Sequence, residues 1–122
     1  MNSASFRKTQ GEFGSDYIRT DRDNEYMVIS RVTRMLQNAV DSVDRMAEIH
    51  AAHANNELWT ALAADLASSG NALPDQLKAN LISLAIFSVR HGRKVLSENA
   101  SIEPLLEINL RIMKGLRGEV QE

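Results

Sequence analysis

His50 and His53 are the nearest thing in this chain to a metal-ligating pair. On a helix, a spacing of three sets two imidazoles side by side on one face. A further ligand would still be needed, and Glu57 or, through the fold, His91 could supply it. There is no HExxH pattern, so surface or half-buried histidines are the simpler explanation. The phosphate-cradling patterns GxxxxGK and GxGxxG are both missing, and Ser68 and Ser69 lack the surroundings of a nucleophile elbow. Carboxylates are plentiful, but no two of them stand out as an acid and base couple. Cysteine is absent, which removes disulfides and thiolate chemistry and fits a cytoplasmic setting. The chemistry-bearing residues therefore argue against catalysis, against a metal and against a cofactor.

A second constellation is basic. Arg90, Arg93 and Lys94, helped by Arg31 and Arg34, could form a patch for phosphates. The plainer account is a solvated face and favourable charge near a helix carboxyl end. The formal net charge of −2 gives no general attraction to nucleic acid or anionic lipid. The longest apolar run, LISLAIFSV at residues 81–89, is too short to span a bilayer and is interrupted by Ser83 and Ser88. The amino end lacks the basic-then-apolar layout of a signal peptide.

These residues must be positioned by helices. At 122 residues and 43% hydrophobic composition, one domain with a core of its own is expected. Residues 1–20 form a lead that is either mobile or a short extra helix. Phe6, Phe13 and Tyr17 fall near one face of it and could lie on the body or hold a partner. The bundle proper is assigned to residues 21–118, with fraying over 119–122. Thr20 and Asp23 suit a capping box at its start. Val28, Val32, Met35, Leu36, Ala39, Val40 and Val43 then repeat at helical spacing, and a break is expected between Asp41 and Arg45.

A second helix is read over 46–67, with Leu58, Ala61, Leu62 and Leu66 as its stripe and Trp59 at the edge. Gly70 is expected to end it in a left-handed conformation. Pro74 and Asp75 start a third helix, running to about residue 96. Apolar nearly all round, it reads as the central one. Ser101 caps a fourth helix striped by Ile102, Leu105, Leu106, Asn109, Ile112, Met113 and Leu116. The expected fold is an all-α bundle of four main helices.

Three polar residues sit where apolar ones would serve. Asp65 lies near the stripe of the second helix, Asn71 in the corner SSGNALP, and Asn109 within the last stripe. Buried polar groups need partners. Asp65 and Asn71 are expected to pin the corner by bonds to backbone or to each other, and Asn109 to seat the last helix. Trp59 is either a plain core residue or an anchor at a binding surface.

Several motifs resemble a known family. NELWTALAADLA at residues 56–67, GNALPDQLKANLISLAIF at 70–87 and SIEPLLEINLRIMKGL at 101–116 are similar to the FlaF family of flagellar biosynthesis regulators. VTRML at 32–36, with Glu25 upstream, looks like that family's first helix. The chain departs from the family's frequent Asn-Arg pairs at Asn56-Glu57 and Asn109-Leu110. The resemblance implies a cytoplasmic, non-enzymatic protein that binds flagellin before export and acts with the regulator FlbT. Helix-in-groove packing of flagellin's apolar terminal helices is the mechanism such a bundle would use. Two other classes stay open. One is an RNA-binding regulator acting through Arg90, Arg93 and Lys94. The other is a homo-oligomer with no further partner.

Overall fold

The computed structural model describes residues 21–116. Among them the chain forms four helices and no strand: α1 (Asp21–Ser42), α2 (Arg45–Ala67), α3 (Asp75–Glu98) and α4 (Glu103–Leu116). The all-α bundle expected from periodicity is the observed architecture. Thr20, the aromatic residues Phe6, Phe13 and Tyr17, and the assignments made for 1–20 and 119–122 lie outside the described residues.

Local chemistry sets each joint. Between α1 and α2, Val43 takes a left-handed backbone with φ 52°. Its N–H still bonds back to Ala39 O at 3.1 Å. Asp44 then caps α2, its Oδ1 accepting the Met46 N–H at 3.1 Å. Val43 was expected on the buried stripe of α1. It is instead 79% exposed, because the reversal of backbone hand carries its side chain out of the helical register. Ile29, absent from the expected stripe, is buried alongside Val32, Leu36 and Ala39.

The α2–α3 corner also differs from expectation. Gly70 does not adopt the left-handed backbone. Ser68 ends α2 in an extended conformation, its N–H bonding to Asp65 O at 3.2 Å. Asn71 makes the turn instead: its N–H reaches Ser68 O at 3.2 Å, and its Oδ1 accepts the Leu73 N–H at 3.0 Å. The corner needs no glycine strain because an asparagine side chain stands in for backbone. At the far end of α3, Asn99 takes the left-handed cap position with φ 60°. Ser101 Oγ then accepts the Glu103 N–H at 3.1 Å to open α4.

The core is shared by all four helices. Ile29, Leu36, Trp59, Val95, Ile102 and Leu105 are among its most buried members. Burial of each large apolar side chain of this kind is worth about 1.5–3 kcal/mol. The helix packed most extensively is α2, against α3 and α1. The expectation that α3 is central is therefore corrected. Its buried face is narrow and mostly small, made of Ala85, Ser88, Gly92 and Val95. Small residues let α2 come close on that side, with Gly92 directly under the Asn56 side chain. On its other sides α3 leaves Leu77, Ile86 and Phe87 exposed.

Two polar contacts hold the carboxyl-terminal part of α3. From α2, Arg45 Nη2 donates to Val95 O at 2.8 Å and to Leu96 O at 3.4 Å. These carbonyls belong to the last turn and have no partner within the helix. His91 Nε2 lies 2.6 Å from Ser101 O, which ties α3 to the start of α4.

Candidate functional site

The central feature is a buried line of hydrogen bonds across three helices. Trp59 Nε1 donates to Asn109 Oδ1 at 3.0 Å. Asn109 Nδ2 donates to Asn55 Oδ1 at 2.9 Å, and Asn55 Nδ2 donates to Ser88 Oγ at 3.1 Å. All four residues are at most 1% exposed. The indole nitrogen can only donate, so it dictates the direction of every bond after it. Asn109 must turn its oxygen to Trp59 and its amide nitrogen to Asn55. Asn55 must in turn offer its nitrogen to Ser88. A register change of α4 on α2 would leave Trp59 N–H and Asn55 Oδ1 unpaired in the core, so the line selects one seating of α4.

This places Trp59 in the core, not at the edge of a stripe, and it presents no surface to a partner. Of the stripe Leu58, Ala61, Leu62 and Leu66, Leu58 and Leu66 are buried and Leu62 packs on the core, whereas Ala61 is exposed; Ala51, Ala52 and Asn55 extend the buried face instead. Asn109 is fully buried in the stripe of α4. Asn55 and Ser88 were not singled out from sequence. The available signal was Asn55 one helical turn before Trp59, a polar residue on a face otherwise of Ala51, Ala52, Leu58 and Leu66.

At the corner, Asn71 Nδ2 donates to Asp65 Oδ2 at 3.3 Å. The two side chains meet, but Asp65 is exposed, so the contact is a surface one. His50 and His53 are both exposed, and His53 Nε2 lies 3.4 Å from Glu57 Oε2. His91 is elsewhere, engaged with Ser101 O. Among the described residues no group of three or more His, Cys, Asp or Glu converges to hold a metal.

Arg90, Arg93 and Lys94 are all exposed on α3, beside Ile86 and Phe87. The Phe87 and His91 rings stack with centroids 5.8 Å apart and planes 17° from parallel. Arg31 and Arg34 are exposed on α1. No described helix is long and apolar enough to cross a membrane.

The sequence profile of the family described as Flagellar protein FlaF matches residues 12–116. The chain belongs to this family. The match begins inside the lead segment, further toward the amino end than the motifs that carry the resemblance. No curated protein and no solved structure matches the chain.

Proposed function

We propose that this FlaF family protein is a non-enzymatic, cytoplasmic flagellin-binding factor, acting as an export chaperone or regulator together with FlbT. The observation that carries it is the family match over residues 12–116. The helical bundle agrees with a protein that works by holding another protein's helix, since an apolar helical guest packs on helices by the same ridge-and-groove contacts as a core. Shielding flagellin's apolar terminal helices before export would prevent premature polymerisation. Because Trp59 is buried, the guest must be held by other residues, and Trp59→Ala would test folding, not binding.

Size-exclusion chromatography with light scattering, mixing the chain with its cognate flagellin and then with FlbT, tests the assignment. A complex with flagellin alone supports a chaperone. Co-elution only when FlbT is present makes the chain an adaptor. No complex in any mixture refutes flagellin binding. An RNA-binding regulator is the second reading, favoured by the exposed Arg90, Arg93 and Lys94. It requires RNA affinity that falls steeply with salt. A stable dimer without any partner would point to the homo-oligomer.

A further inference from the structure

One stripe of α3 is not explained by packing among the described residues. Ser83, Ile86, Phe87, Arg90, Arg93 and Lys94 are all exposed and recur at three- and four-residue spacing. On a helix this is one continuous face. It lies opposite the buried line of Ala85, Ser88, Gly92 and Val95. Ile86 and Phe87 are 49% and 48% exposed. Beyond them, toward the carboxyl end, the same stripe carries Arg90, Arg93 and Lys94, with Ser97 and Glu98 in its last turn.

Among the described residues these cations have no acidic partner. Helix α3 contains no acidic residue from Gln76 to Ser97. Among the described residues the ion pairs are Arg45–Glu48 and His53–Glu57, and neither involves α3. Complementing the helix dipole does not account for them either. That effect is confined to the last turn, where α3 carries no basic residue. Arg45 already serves the terminal carbonyls. The result is an apolar-then-basic face on a chain whose formal net charge is −2.

We propose that this stripe docks an amphipathic helix of another protein, one whose apolar residues meet Ile86 and Phe87 and whose acidic residues meet Arg90, Arg93 and Lys94. The proposal names a face and a charge pattern for the protein-holding function, and it rests on that function being the correct one. Charge complementarity identifies the occupant. The lead segment is a poor candidate, since Arg7, Lys8 and Arg19 outnumber Glu12 and Asp16 there. A polyanion such as RNA would use the three cations but gains nothing from Ile86. Paired charges at such a rim set partner choice and orientation, while the two apolar side chains supply the desolvated centre.

The test is fluorescence anisotropy on the full chain with two labelled synthetic helical peptides. Both carry the same leucine stripe, flanked in one by glutamates and in the other by lysines. The glutamate peptide is expected to bind about tenfold tighter. Arg90→Glu, Arg93→Glu and Lys94→Glu together should invert that preference. Ile86→Ser with Phe87→Ser should weaken both peptides. All five sites are exposed, so the charge-reversal variant should keep the parent melting curve by circular dichroism, and the serine pair should lose only the Phe87–His91 ring stack and stay folded.

Equal affinity for the two peptides, no binding of either, or a preference untouched by charge reversal would overturn the proposal. Polyuridylate and phosphatidylserine vesicles complete the set. Binding to either that is lost on charge reversal but kept by the serine pair would overturn the protein-helix occupant in favour of a polyanion surface. No flagellin enters this titration, so its failure is distinct from failure of the chromatographic test.

Discussion

Replacing Asn109 by alanine breaks the buried line at its middle. Two groups then lose their partners, the Trp59 N–H and Asn55 Oδ1, both in sites at most 1% exposed. Each unsatisfied buried group costs about 1–3 kcal/mol. Water entering the vacated space would recover part of this. A net loss of about 3 kcal/mol is expected, in the lower half of the summed range. For a domain of this size 1 kcal/mol moves Tm by about 4 °C, so Tm should fall by about 12 °C. The chain has a single tryptophan, so its fluorescence reports on this site alone.

Thermal melts by circular dichroism, with emission spectra of the folded state, make the measurement. A companion cycle removes both ends of the first bond. Asn109→Leu and Trp59→Phe should each destabilise, and the double variant should lose about 1 kcal/mol less than their sum, because neither partner is then left unpaired. A loss under about 0.5 kcal/mol in Asn109→Ala, with an unshifted emission maximum, would refute the claim that this line specifies how α4 seats.

Other substitutions test the joints and the α2–α3 contact. A Cβ at Gly92 would overlap Asn56 Oδ1 and lie 2.9 Å from Asn56 Cγ, so Gly92→Ala should cost about 1–3 kcal/mol despite alanine's better helix propensity. Adding Asn56→Ala should recover most of that loss in a urea titration. Val43→Gly should raise Tm by about 2 °C, since relief of a β-branched residue at φ 52° outweighs glycine's added chain entropy. A lower Tm would mean the strain is absent. Arg45→Met should cost about 1 kcal/mol and speed hydrogen exchange in the last turn of α3, because the carbonyls of Val95 and Leu96 lose their donor. Asp65→Ala should lower Tm by no more than about 2 °C, because its bond to Asn71 is exposed; a fall beyond about 6 °C would show that the corner depends on it.

Much of the fold was legible because helix ends are local events. Pro74 and Asp75 at the start of α3, Ser101 before α4, and the Ser and Asp run before α2 announce themselves through groups only a few residues apart. Gly70 misled for the same reason. A glycine permits a left-handed end but does not compel one, and here Asn71 closes the turn by its own side chain. Asn99 carried the left-handed end of α3 without being recognised as its stop.

By itself, the sequence determined an all-α bundle, the approximate helix limits, the absence of familiar catalytic patterns, and motifs that place the chain in its family. Those properties depend on neighbours within a turn or two of helix, or on ordered identity along the chain. Only the tertiary structure decided which side of each helix is inside. Helix α3 is apolar on several faces, and periodicity cannot say which one α2 will cover; the close approach allowed by Ala85, Ser88 and Gly92 makes that choice. Trp59 and Asn109 are fifty positions apart, and Asn55 and Ser88 thirty-three, so their bonds exist only once three helices are docked. The same docking leaves Ile86, Phe87, Arg90, Arg93 and Lys94 together on the outside, a surface that exists because α2 took the other face of α3.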